Sequence, residues 1–162
     1  MSKITDGFKA LYGDEAKDRT RAFIVDDEPA IARGAGRVLR SPNTGIATTV
    51  DCADPKKAVE ELLKEGVRDS VALVVSDFNM PGMTGVELAG RLRDGLGGKK
   101  IPFLLMSGGM TSQIKVDIIT GAIFAGDVDA FVEKPFEPED FLAAVEKAIE
   151  RRIQLFREDN AA

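Results

Sequence analysis

Asp26, Asp27, Asp77, Ser107 and Lys134 each lie at the end of a short apolar run, in "FIVDD", "VVSD", "LLMS" and "FVEK". Three carboxylates brought within a few ångströms of one another repel, at a cost on the order of a few kcal/mol per pair at an effective dielectric near 20. Protonation would relieve this only in a dry site. A hard divalent cation does so at neutral pH, and Mg²⁺ takes its ligands from carboxylate and other oxygens. The chain has no histidine and a single cysteine, Cys52, so the donor set suits neither zinc nor copper. With a cation in place, one carboxylate can act as a nucleophile toward phosphorus. Lys134 and Ser107 can then meet the charge gathering on phosphoryl oxygens. Asp77 stands alone at the end of its run and is the candidate nucleophile. Asp26 and Asp27 form a pair suited to holding the metal.

The elements around these residues must bring them together. "AFIVDD" reads as a buried strand, and Pro29 fits the first turn of a helix running to about Arg40. "IATTVDC" is a β-branched second strand, and Asp54 with Pro55 opens a helix whose apolar face is Ala58, Leu62 and Leu63. "VALVVSD" is the third strand, followed by "VELAGRLR" as a helix. "IPFLLMSG" is the fourth, followed by a helical stretch around Ile114, Ile118 and Ile119. "DAFVEKP" is the fifth. A last helix from near Pro138 sets Phe141, Leu142, Val145, Ile149, Ile153 and Phe156 on one side. Five β-then-α units predict an α/β fold, a doubly wound parallel sheet with helices on both faces. In such a sheet, functional groups gather beyond the carboxyl ends of the strands, where the acidic set would sit.

Composition narrows the classes. With 22 basic and 27 acidic residues in 162, net charge −5, and no basic block, direct nucleic-acid binding is not expected. The N-terminal "MSKITDGFKALYGDEAKDR" has no apolar core of a secretory signal, and no apolar run is long enough to span a bilayer. A cytoplasmic protein without membrane contact is expected, with Cys52 a reduced, half-buried thiol.

"FIVDDEP", "VVSDFNMPGMTGVEL", "LLMSGG" and "FVEKPF", in this order, closely resemble the receiver domain of two-component response regulators, over roughly Arg21 to Ile149. The resemblance implies a five-stranded sheet of order 2-1-3-4-5. It implies Asp77 as phosphoacceptor, Asp26 and Asp27 as the acidic pair for Mg²⁺, and the Asn79 backbone carbonyl as a further ligand. It also implies Lys134 and Ser107 as phosphoryl-contacting residues, a cis Lys134–Pro135 bond, and Ser107 with Phe131 as the switch pair. The phosphoryl donor would be a histidine kinase or phosphotransfer protein. The output would be a protein target, reached through the helix after strand four, strand five and the last helix. Such a domain catalyses only its own phosphorylation and dephosphorylation.

Some features depart from the family. The stretch from Ser107 to Lys134 exceeds the usual spacing by more than one helical turn, the surplus lying in "TGAIFAGDVDAF". Residues 1–20 form an extension, with Ile4, Phe8, Leu11 and Tyr12 at helical spacing. The receiver domain is expected over 21–157, and 158–162 as a tail, which makes a stand-alone receiver the expectation. The extension can dock on the last helix of its own chain or on that of a second copy, the latter giving a homodimer. Two other readings compete. A receiver-shaped module that is never phosphorylated would not need the acidic set, which is present. A haloacid-dehalogenase-like phosphatase needs an acid two residues after its nucleophile, where this chain has Asn79.

Overall fold

The computed structural model describes residues 2–94, 100–109 and 112–161. Strands β1 (Arg21–Val25), β2 (Thr48–Cys52), β3 (Val71–Asp77), β4 (Phe103–Ser107) and β5 (Ala130–Glu133) form one parallel sheet in the order β2-β1-β3-β4-β5. The helices are α1 (Lys3–Tyr12), α2 (Pro29–Leu39), α3 (Pro55–Leu63), α4 (Glu65–Arg68), α5 (Gly85–Asp94), α6 (Gln113–Phe124) and α7 (Pro138–Ala161). The expected fold class and strand order are therefore those observed.

Every residue of the central strand β3 is buried, as expected of a strand covered on both faces. The edge strands β2 and β5 are half exposed instead. One face of the sheet packs on α1, α2 and α7 through residues such as Phe8, Ala35, Phe141 and Ile149. The other packs on α3, α5 and α6 through Leu62, Leu88, Leu92 and Ile119. Pro55 at the start of α3 follows Asp54, whose Oδ1 accepts the Lys56 N–H at 2.9 Å, so the cap read from the sequence is formed.

One apolar assignment is corrected, and one helix is apolar without being fully buried. Leu63 is exposed because α3 turns it away from the face made by Ala58 and Leu62. In α6 Ile119 is the one buried isoleucine of the four: Ile114 is 74 % and Ile118 is 44 % exposed, and Ile123 is partly buried. The helix is apolar on more than one side, so its period alone could not say which side faces the sheet. The last helix continues through residues 158–161, which the sequence reading set apart as a tail.

Ten residues are too few for a stable helix in water, so α1 depends on packing. Ile4, Phe8, Leu11 and Tyr12 are all buried, at roughly 1.5–3 kcal/mol for each large apolar side chain. A Cβ on Gly7 would lie 2.4 Å from Ile149 Cγ2, so glycine is what lets α1 approach α7 of the same chain. The Tyr12 hydroxyl donates to the Ala72 carbonyl at 2.8 Å and ties α1 to the start of β3.

Candidate functional site

Parallel pairing places Val25 beside Ser76, so β1 and β3 end together and deliver Asp26 and Asp77 to one edge of the sheet. Asp26, Asp27 and Asp77 each present a carboxylate oxygen within 4.8 Å of the others. Asp26 and Asp77 are buried, and Asp27 is exposed. The Glu28 N–H donates to Asp26 Oδ1 at 2.8 Å and fixes that carboxylate. Lys134 reaches across the end of β4, and its Nζ stands 3.0 Å from Asp26 Oδ2 and 3.0 Å from Asp77 Oδ1. Its backbone N–H donates to the Ser107 carbonyl at 2.8 Å, and the Lys134–Pro135 peptide is cis.

The turn after Asp77 is folded back on the strand. Phe78 N–H donates to the Met106 carbonyl and Gly85 N–H to the Phe78 carbonyl, both at 2.9 Å. Gly85 closes this turn because a Cβ there would lie 2.3 Å from the Asp77 carbonyl oxygen and 2.7 Å from Leu105 Cδ1. In the sequence Gly85 is simply the residue before "VELAGRLR". Its signal was the "MPGMTG" turn, but the close approach depends on β4 lying alongside.

Burial pushes the Asp77 carboxyl above its ordinary range, while the hydrogen bond and charge of Lys134 oppose the shift. Burial alone would lower Lys134, but its hydrogen bonds to Asp77 and Asp26 outweigh that and raise it. Three carboxylates stand together, and the one ammonium among them pairs with two, Asp26 and Asp77. An all-oxygen, net-negative donor set fits a hard divalent cation such as Mg²⁺. It could hold that ion through Asp26, Asp27 and Asp77.

The remaining expected residues are placed differently. Ser107 is fully buried, and its hydroxyl lies 3.4 Å from the Gly108 carbonyl. Among the described residues that hydroxyl makes no hydrogen bond to Asp77 or Lys134. Asn79 is exposed and borders a cavity of about 340 Å³ with Phe78, Gly109, Lys115 and Ile118. Phe131, 42 % exposed, projects from the outer strand β5.

The response regulator receiver domain family matches residues 22–146. The chain belongs to that family. This receiver domain is 34 % identical to the chemotaxis protein CheY of Pseudomonas aeruginosa over 131 residues, 81 % of this chain and 97 % of that one. It is also 34 % identical to the rice two-component response regulator ORR6 over 79 % of this chain and 70 % of the other. Against the DNA-binding response regulator MtrA of Mycolicibacterium smegmatis it is 29 % identical and spans about half of the longer protein, 52 %. Among solved structures, the chemotaxis response regulator CheY4 of Vibrio cholerae superposes with a TM-score of 0.64 at 26 % identity, covering 80 % of this chain and 98 % of that one. Among the described residues, no helix is long and apolar enough to cross a membrane.

Proposed function

We propose that this receiver domain accepts a phosphoryl group on Asp77 from a histidine kinase or phosphotransfer protein and passes the signal to a protein partner. The observation that carries this reading is Asp77 at the sheet edge, with Asp26 and Asp27 beside it and Lys134 bound to two of the three carboxylates. An Asp77 carboxylate oxygen attacks phosphorus, the bond from phosphorus to the donor nitrogen breaks, and the donor leaves with the electron pair. No internal base is required, because an ionised carboxylate is already the nucleophile.

Asp26, Asp27, Asp77 and the Asn79 backbone carbonyl would hold Mg²⁺, which when bound neutralises charge on the transferring group. Lys134 supplies a fixed cation from the protein side. Ser107 then turns from the Gly108 carbonyl toward the phosphoryl group, and Phe131 moves into the space vacated. The change reads out on α6, β5 and α7, where Ile114, Ile118 and Phe124 are also exposed. A few kcal/mol of difference between two packings suffices to shift the population. In this reading the protein acts in the cytoplasm, contacts no nucleic acid itself, and turns over no separate substrate.

Incubating the protein with Mg²⁺ and acetyl phosphate and weighing it intact provides the test. A single phosphate adduct is expected, absent from Asp77→Asn and absent with a chelator. No adduct from the unaltered protein would sink the reading.

A further inference from the structure

Lys115, in the first turn of α6, is a second cation at the edge of the site, and nothing in the resemblance assigns it. Ser112 Oγ caps the Lys115 N–H at 3.4 Å and fixes the backbone there. The Lys115 ammonium donates to the Gly108 carbonyl, and it lies 5.2 Å from the centre of the Phe78 ring. The Gly108 carbonyl also accepts from the Ser107 hydroxyl, at 3.4 Å. One neutral oxygen therefore holds two donors: the side chain expected to reach a phosphoryl group, and a lysine. Phe78 follows Asp77 directly, and Lys115 lines the same cavity of about 340 Å³ as Asn79 and Gly109.

Charge decides where this ammonium is most stable. Lys134 is engaged by Asp26 and Asp77. Lys56, on the other rim, lines a groove with Asp27 and Asp54 and has acidic neighbours already. Lys115 faces a carbonyl and a ring, and among the described residues it has no carboxylate partner. After phosphorylation, Asp26, Asp27 and an acyl phosphate of about −2 face Lys134 and a divalent ion, which leaves about one negative charge unmatched. The ammonium's bond to the Gly108 carbonyl is charge-assisted on the donor side alone, whereas a bond to a phosphoryl oxygen joins two opposite charges. A cation–π contact at a partly exposed site adds only about 0.5–1 kcal/mol. Gly108 and Gly109 place no side chain in the way: a Cβ on Gly108 would come no nearer than 3.9 Å to Lys134 Cβ, and one on Gly109 would meet nothing within 4 Å.

We propose that Lys115 is a phosphoryl-contacting residue: it is held on the Gly108 carbonyl while Asp77 is a free carboxylate and transfers to the phosphoryl oxygens once Asp77 is modified. The proposal rests on the reading of Asp77 as phosphoacceptor. In the same movement it frees the Gly108 carbonyl from both donors, so the Ser107 loop is released as the new contact forms.

The test titrates the full chain with beryllofluoride, a phosphoryl stand-in, in Mg²⁺ by isothermal calorimetry. It compares the unaltered protein, Lys115→Met and Lys115→Arg, alongside intact-mass measurement of the acetyl phosphate adduct. Lys115→Met is expected to bind roughly tenfold more weakly, the loss of one hydrogen bond to a charged group, and Lys115→Arg to recover most of it. Equal or tighter binding by Lys115→Met, or a Lys115→Arg as weak as it, overturns the proposal. If the unaltered protein forms no adduct and binds no beryllofluoride, the phosphoacceptor reading fails as well. An adduct on the unaltered protein with Lys115→Met indistinguishable from it removes only Lys115.

Discussion

Two buried charge clusters sit at opposite ends of the sheet, built from carboxylates and cations in opposite proportion. At the amino ends of the strands, Asp129 Oδ2 accepts from Arg93 Nη2 at 3.0 Å, Arg152 Nε at 3.1 Å and the Phe103 N–H at 2.8 Å. Arg152 Nη2 stands 2.7 Å from Asp129 Oδ1 as an ion pair without hydrogen-bond geometry. Other guanidinium donors go to backbone carbonyls: Arg93 to Ile101 at 2.6 Å and Asp127 at 3.2 Å, Arg152 to Gly126 at 2.6 Å. Burial pushes Arg93 down to about 10, and Asp129 opposes the shift. At the carboxyl ends, three carboxylates lie together, Lys134 pairs with Asp26 and Asp77, and Asp27 is exposed. The first cluster meets its excess charge with the protein's own carbonyls and is closed. The second leaves its excess open to solvent, where an ion or a phosphoryl group can complete it. Burial of charge is common to both, and what separates a lock from a site is whether the protein itself supplies the remaining partners.

Substitutions at the two ends should therefore answer differently to Mg²⁺. The largest effect is expected from Asp129→Ala, which leaves two guanidiniums without their carboxylate. Calorimetry should show a loss of about 3–5 kcal/mol, the same with and without Mg²⁺. For a domain of this size that lowers the melting temperature by roughly 10 °C. A loss below about 1 kcal/mol would mean that the amino-end cluster locks nothing. Gly85→Ala follows at about 1–3 kcal/mol, since its Cβ must displace the Asp77 carbonyl or Leu105, and it should slow adduct formation as well. Lys134→Met should cost about 1–2 kcal/mol without metal, less than a fully enclosed pair because the site is open to water. Added Mg²⁺ should restore part of that loss. A deficit indifferent to Mg²⁺ would make the carboxyl end a second lock.

The smallest effect concerns pH. Because the Asp77 carboxyl is raised in the folded protein, that state holds its proton to a higher pH than the unfolded chain does. Stability of the metal-free protein should fall as pH rises from the ordinary aspartate value of 3.8 through the raised one. Asp77→Asn should flatten that slope and leave the metal-free protein slightly more stable near neutral pH. Denaturant titrations in a chelator at several pH values measure it, and an unchanged slope would remove the proposed strain at Asp77.

Much of the carboxyl-end cluster was legible because each member closes an apolar run, and strand ends in a parallel sheet converge. "VALVVSD" matched β3 residue for residue, since a strand buried on both faces is a continuous apolar string. The amino-end cluster was not legible. Asp129 reads as the first residue of a strand and Arg152 as a helix-surface arginine, and 23 positions separate the two side chains. Arg93 lies within "VELAGRLR", where nothing local marks it. Leu63 of α3 was misplaced for a related reason, that apolar period identifies a helix but not which of its sides meets the sheet.

The sequence by itself determined the parallel α/β architecture, the acidic set and the family, because apolar period, turn residues and strand-end chemistry are local properties of the chain. Only the tertiary structure decided the rest. It docked α1 on α7 of the same chain, where Gly7 lets the helices touch. It enclosed Asp129 between two arginines, and it left the Ser107 hydroxyl and the Lys115 ammonium on one carbonyl oxygen. The α1–α7 and Asp129 contacts join residues far apart in the chain, and their energy exists only once packing has excluded water from both partners; the carbonyl shared by Ser107 and Lys115 depends on how α6 follows β4.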